Sequence, residues 1–192
     1  MRSLLAVWKF LRGLWHVLVG MWTIYVRFPQ LAPEQREMRV QAWALQFLAL
    51  WGIHLRVLGQ PVPNGPALMV ANHISWLDIL VMNAAHPSRF VSKADVKGWP
   101  LLGSLITGAG TLYIERESRR DAMRVVHHMA ERLREGDTLT VFPEGTTGDG
   151  RTIEACCVSF DHGITQLMAS CGQIVSSTIG CTSADSRAVP RQ

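Results

Sequence analysis

Several chemistries are missing from this chain of 192 residues. It has no Walker phosphate loop, no dinucleotide fingerprint and no Gly-x-Ser-x-Gly elbow, which leaves nucleotide-driven and serine-hydrolase chemistry of those kinds without support. Cysteine is sparse and badly spaced for metal: Cys156 and Cys157 are adjacent, Cys171 and Cys181 stand alone, and no Cys-x-x-Cys pair occurs. A disulfide framework is not expected in a chain of this size that reads as facing the cytosol. No metal and no cofactor are therefore expected. Repeats and low-complexity segments are absent, as is any linker beyond the Pro61–Pro66 turn region, so the chain is one domain's worth, long enough for a proper core. Acidic residues are scarce at one end only. Residues 1–60 hold seven Lys or Arg against two acids, a net of +5, whereas residues 61–192 hold twelve against thirteen, a net of −1. A basic excess confined to the amino end suits anionic headgroups, and no nucleic-acid partner is expected.

What the amino end does contain is apolar and aromatic. Gly13–Val26 gives fourteen residues without a formal charge, flanked by Lys9, Arg12 and Arg27. A membrane span needs about 20 mostly apolar residues, so this helix is expected to lie in, or dip into, one leaflet with its cations at the headgroups. Four of the seven tryptophans, Trp8, Trp15, Trp22 and Trp43, fall in the first 43 residues, as suits a ring that is apolar on one side and wet on the other. The first three recur every seventh residue along one stripe. A signal peptide fits less well, because no small-residue cleavage site follows and Phe28-Pro29 comes next. A second helix is expected from Pro33 to about Leu50, with Ala42, Leu45, Leu48 and Ala49 on one face, either beside the first helix or turned to the core.

Further along, the apolar run Ala67–Ala71 is followed by Asn72-His73-Ile74-Ser75-Trp76-Leu77-Asp78. An imidazole held by a carboxylate can take a proton from a hydroxyl near neutral pH, because the carboxylate fixes the tautomer and stabilises the imidazolium. In one unbroken helix, residues five apart diverge by about 140°. His73 and Asp78 can meet if His73 lies in the loop leaving a strand and Asp78 in the first turn of the next helix, which Ile79-Leu80-Val81-Met82 would continue. Two more strand candidates end in polar clusters. Thr111–Ile114 runs into Glu115-Arg116, and Thr138–Phe142 runs into Pro143-Glu144-Gly145-Thr146-Thr147. Between them Ser118–Glu135 reads as an amphipathic helix with Ala122, Val126, Met129, Ala130 and Leu133 inward and Gly136 as its stop. Strand, helix, strand implies a parallel pair joined by a crossover. In such open sheets ligands bind beyond the carboxyl ends of the strands, so His73, Arg116 and Glu144 are expected at one cleft. The expected fold is α/β, a mostly parallel central sheet flanked by helices and preceded by a membrane-associated helical segment. His86, His127 and His128 are expected to be ordinary surface or half-buried residues.

These blocks carry a family resemblance. Asn72–Asp78 resembles the histidine-x4-aspartate motif of the glycerolipid acyltransferases, Gly110–Arg116 their second block, and Phe142-Pro143-Glu144-Gly145-Thr146 their third and most specific one. Lys93, Trp99-Pro100-Leu101-Leu102-Gly103 and Phe160-Asp161-His162-Gly163 fall in the same order. The resemblance covers roughly residues 65–180 and points to the bacterial 1-acyl-glycerol-3-phosphate acyltransferases. It implies acyl transfer from acyl-CoA or acyl carrier protein to the hydroxyl of a lysophospholipid, with His73 and Asp78 catalytic. It also implies Arg116 and Lys93 at the acceptor's phosphate, and Glu144, Gly145 and Thr146 shaping that site. The implied location is the bacterial inner membrane, with the catalytic domain facing the cytoplasm. Residues 1–60 would be the membrane-associated helices and residues 61–192 the catalytic domain, expected to be truncated or altered at its C-terminal end. There, Gln173–Ile179 lacks the proline of the family's fourth block, and Thr147 replaces a frequent arginine. The alternatives are another acceptor such as a lyso-ornithine lipid, a lipid-binding relative without turnover, and a hydrolase that uses water.

Overall fold

Parallel strands form the centre of the fold. The structure, a computed structural model, describes residues 2–58, 65–114, 119–142, 147–148 and 174–177, with Arg2, Lys93, Ile114 and residues 119–123 and 174–177 described by their backbone alone. The strands are β1 (Ala67–Ala71), β2 (Arg89–Lys93), β3 (Leu112–Ile114), β4 (Thr138–Val141) and β5 (Ile174–Ser177), and the helices are α1 (Arg2–Trp22), α2 (Pro33–Leu50), α3 (Leu77–Ala85), α4 (Leu102–Gly108) and α5 (Arg119–Arg134). The sheet order is β3-β2-β4-β1-β5, and every pairing is parallel. The expected parallel pair of β3 and β4 is therefore corrected in one respect. They run parallel but are not neighbours, because β2, whose charged ends hide it in the sequence, lies between them.

The apolar runs become strands because both faces of the sheet are covered, as parallel sheets require. On one face Leu68, Leu139 and Val141 pack with Val126, Met129 and Leu133 of α5. Met129 and Leu133 are almost wholly buried, and each such side chain contributes about 1.5–3 kcal/mol. On the other face Met69, Ala71 and Phe90 meet Met82 of α3. Helix α5 ends as the sequence predicts: Gly136 adopts φ 97°, its N–H donates to the Leu133 carbonyl at 3.0 Å, and the Asp137 N–H donates to the Arg132 carbonyl at 3.0 Å. This is the Schellman closure that a residue with a Cβ disfavours.

Helix α2 starts at Pro33, with the Ala32 N–H held by Gln35 Oε1 at 3.1 Å. It turns Ala44, Phe47 and Leu48 inward. Ala44 and Leu48 pack on Ala84 of α3. Ala42, Leu45 and Ala49, expected on one face with Leu48, are exposed, so the stripe that is covered sits partly round the helix from the predicted one.

Helix α1 is longer than its uncharged centre suggests. With the following turns the helical run Ser3–Gln30 has 28 residues, long and apolar enough to cross a bilayer by length and composition. One side is docked onto the rest of the fold: Gly13 lies against Trp51, Gly20 against Trp43 and Leu105, and Ile24 against Gly108. His16 and Trp43 close this contact twice. His16 Nε2–H donates to the Trp43 carbonyl at 3.0 Å, Trp43 Nε1–H donates to the His16 carbonyl at 3.1 Å, and the rings stack at 4.9 Å. The opposite side, including Trp8, Trp15 and Trp22, is exposed.

Candidate active site

The turn between β1 and α3 brings His73 and Asp78 together. The chain leaves β1 after Ala71, and Ser75 starts the helix: its Oγ accepts the Leu77 N–H at 3.1 Å and its carbonyl accepts the Asp78 N–H at 3.1 Å. Asp78 then sits in the first turn of α3, where a carboxylate is favoured by the helix dipole, and folds back over the loop. A single oxygen, Oδ2, accepts His73 Nδ1–H at 2.9 Å, the Ile74 N–H at 2.6 Å and the Ser75 N–H at 2.8 Å. Burial is the largest influence on this carboxyl and pushes its pKa up, but the bonds from His73 and the two amides together outweigh it, and the pKa lies below the usual value of 3.8. Asp78 is thus an anion across the physiological range. An anion accepting at Nδ1 puts the proton there and leaves the lone pair of His73 on Nε2.

A second constraint comes from another strand. Phe142, the residue after β4, stacks on the His73 ring at 4.2 Å with 15° between the planes. Behind it, Phe142 rests on Phe90 of β2 at 5.7 Å. The imidazole is gripped at its edge by Asp78 and on its face by an aromatic pair rooted in the sheet. The Gly148 N–H donates to the His73 carbonyl at 2.7 Å, tying the segment after β4 to the same loop.

Of the residues singled out in the sequence, His73 and Asp78 are brought into contact. Lys93 ends β2, and only its backbone is described. Arg116, Glu144, Gly145 and Thr146 lie outside the described residues. His86 follows α3 at its C-cap, and His127 and His128 are exposed. Phe142 was given no role by the sequence. Its signal was an aromatic at the carboxyl end of a strand, and the strand order that puts β4 beside β1 could not be read beforehand. Among the described residues no group of three or more His, Cys, Asp or Glu is placed to hold a metal.

A cavity of about 480 Å³ opens between α1, α2, α3 and α4. Phe28, Phe47, Leu105 and Gly20 line it, together with Trp76 and Ile79 from the His73–Asp78 segment and the start of α3. Its wall is mainly apolar, and it adjoins the loop that carries the imidazole.

Comparison with known proteins gives the family and the fold. A family model described as Acyltransferase matches residues 54–182. A 1-acyl-sn-glycerol-3-phosphate acyltransferase of Neisseria gonorrhoeae is 42% identical over 120 residues, 62% of this chain and 47% of the relative. A lyso-ornithine lipid O-acyltransferase of Pseudomonas aeruginosa is 41% identical over 135 residues, 70% of this chain and 49% of the relative. The chain spans about half the length of these curated relatives. Among solved structures, the 1-acyl-sn-glycerophosphate (LPA) acyltransferase PlsC of Thermotoga maritima matches with a TM-score of 0.59 at 18% identity, covering 86% of this chain and 73% of that one. That likeness establishes the fold.

Proposed function

The chain belongs to the Acyltransferase family, and from that premise we propose that it moves a fatty acyl group from the thioester of acyl-CoA or acyl carrier protein to a lysophospholipid hydroxyl. The proposed acceptor is 1-acyl-glycerol-3-phosphate and the product phosphatidic acid. The observation that carries the reading is the His73–Asp78 pair, with Nδ1 protonated against a buried anion and the lone pair on Nε2. Nε2 takes the hydroxyl proton as the acceptor oxygen attacks the thioester carbon. The tetrahedral intermediate collapses, the carbon–sulfur bond breaks, and the proton passes to the leaving thiolate. No acyl-enzyme forms, so no protein nucleophile is required. General base catalysis of this kind contributes about 10²–10⁴-fold. Holding two lipids in line supplies much of the rest, and the apolar cavity beside the loop suits an acyl chain.

In this reading Arg116 grips the acceptor's phosphate through its guanidinium fork, assisted by Lys93, and Glu144, Gly145 and Thr146 shape the acceptor site. Residues 1–60 attach the protein to the cytoplasmic face of a bacterial inner membrane, and residues 61–192 carry the chemistry. Helix α1 lies in the interface: its docked side faces α2 and α4, and its exposed side presents Trp8, Trp15 and Trp22 to lipid.

A lyso-ornithine lipid is the competing acceptor, favoured by the Pseudomonas relative. The test is mass spectrometry of the products formed by the purified full chain with acyl-CoA or acyl carrier protein and a panel of lysolipids. Phosphatidic acid formed faster than any other product supports the reading, and faster acylation of lyso-ornithine lipid replaces the acceptor. Free fatty acid released without an acceptor makes the chain a hydrolase. No thiol release with any pair makes it a lipid-binding relative.

A further inference from the structure

The turn that opens α4 has a chemistry the catalytic site does not use. After β2 the chain makes a short 3-10 helix, Ala94–Gly98, and then Trp99-Pro100-Leu101-Leu102. Trp99 is 54% exposed, Leu101 43% and Leu102 39%. Single exposed apolar side chains need no explanation, but Trp99 and Leu101, two positions apart, form a patch that water disfavours, with Leu102 beside them lining the apolar cavity. The backbone holds them out at a cost. Leu101 has φ 61° and ψ −53°, and the Leu102 N–H donates to the Pro100 carbonyl at 2.6 Å, a positive-φ γ-turn that is strained for an L-residue. Leu101 is the only non-glycine residue with positive φ among the described residues.

The strain is held by a tight base. The Gly103 N–H donates to the Trp99 carbonyl at 2.9 Å and the Trp99 N–H to the Val96 carbonyl at 3.2 Å. A Cβ on Gly103 would overlap the Lys97 carbonyl oxygen, so only glycine lets the two segments close. A turn already rigid loses little further entropy when its apolar tips are buried.

We propose that this turn is a second membrane-insertion element, a wedge that enters the same anionic lipid surface as α1. The proposal rests on the reading of α1 as an interfacial helix and extends it. Continuity carries it: α4 runs beside the carboxyl half of α1, with Leu105 against Gly20, Gly108 against Ile24, and Tyr25 Oη donating to Ser104 Oγ at 3.0 Å. The exposed Tyr25 thus reaches the first turn of α4, two positions after Leu102. Charge is balanced at the base of the turn, where exposed Lys97, its ammonium 5.8 Å from the centre of the Tyr113 ring, stands beside exposed Asp95, so the apolar tips rather than net charge drive insertion. Topology gives the consequence. The turn follows the carboxyl end of β2 and His73 follows that of β1, and both strands run parallel to β4. The wedge and the imidazole are at the same edge of the sheet, so insertion seats the catalytic edge against the lipid and a lysolipid can reach it without crossing water.

The test uses the full chain and vesicles of phosphatidylglycerol and phosphatidylethanolamine, with and without brominated acyl chains that quench nearby tryptophans. The fluorescence lost on Trp99→Phe reports the wedge, and that lost on Trp15→Phe reports α1. Both components are expected to be quenched. Leu101→Gly, which relieves the strain and keeps the turn, is expected to weaken vesicle binding about three- to tenfold, since less than half of the side chain is left to bury. Its activity on detergent-dispersed lysolipid should be unchanged. Quenching of Trp15 without Trp99, together with parental binding by Leu101→Gly, overturns the wedge and leaves α1 standing. No quenching of either overturns both. A change of oligomeric state in Leu101→Gly without lipid makes the turn a protein contact and also overturns the proposal.

Discussion

At His73 the proposed chemistry comes down to one proton and the groups that decide where it sits. Replacing His73 by Ala removes the base, and acyl transfer is expected to fall at least about 100-fold with the fold and vesicle binding retained, because Asp78 keeps its bonds from the Ile74 and Ser75 N–H groups. Transfer above one hundredth of the parent rate would sink the base assignment. Asp78→Asn should be nearly as severe, since an amide cannot hold an imidazolium. It should also leave its mark on acid stability. Asp78 has a folded pKa below 3.8, so its contribution is fully present above that value and is lost as pH falls through the folded pKa. The Asn variant is expected to lose less stability than the parent between pH 4 and pH 2, measured by denaturant titration. Phe142 is a positioning residue. Phe142→Leu keeps apolar volume but removes a stacked ring, and kcat is expected to fall about tenfold with KM for the donor unchanged. Phe142→Tyr should restore most of the rate, which a role in core packing alone would not predict if stability recovers equally in both variants.

Helix α1 shows at the scale of an element how much a missing side chain can decide. A Cβ at Gly20 would stand 2.6 Å from Trp43 Nε1 and 3.3 Å from Leu105 Cδ2, so Gly20→Val must push α1 off α2 and α4 or shift the indole that bonds His16. The expected cost is about 1–3 kcal/mol, seen as a lower melting temperature and as faster amide exchange confined to α1 and the start of α2. Exchange unchanged in those segments would mean that the contact with Trp43 is not what holds α1. The same elements show what could be read from the chain. β1, β4 and α5 were legible because apolar runs and periodicity are bounded by Gly136 and by polar clusters. β2 was not, because Arg89 and Lys93 frame only Phe90-Val91-Ser92, and it is a strand only through its pairing with β3 and β4. The face of α2 was misjudged because two stripes overlap, and small Ala44 wins by fitting against Ala84. His73 and Asp78 were visible because strand, loop and first helical turn are local in sequence. The stack on Phe142 spans 69 positions and depends on the order of the sheet.

For the whole molecule the question is whether α1 crosses the membrane or lies on it. Length no longer decides, since Ser3–Gln30 is long enough to span. The interfacial arrangement proposed above is supported by docking instead: Gly13, His16, Gly20 and Ile24 are held along one side by α2, α4 and Trp51. A helix clamped lengthwise to α2 and α4 could cross hydrocarbon only with those partners carried alongside it. Removing α1 would also bare its docked side, so the cleaner change is Trp8→Gln, Trp15→Gln and Trp22→Gln together, which leaves the docked stripe intact. Rings of this size are worth about 1.5–3 kcal/mol each when fully buried, and 53–69% of each is still exposed in the fold, so membrane partitioning of the triple variant is expected to drop about 10²–10⁴-fold. Activity should fall on vesicles and persist on detergent-dispersed lysolipid, because nothing near His73 has changed. Equal loss on both would tie the tryptophans to folding instead. Orientation is read with a tag at residue 2: labelling by an impermeant reagent from outside intact cells, while the catalytic domain stays protected, would show a true span and overturn the interfacial arrangement.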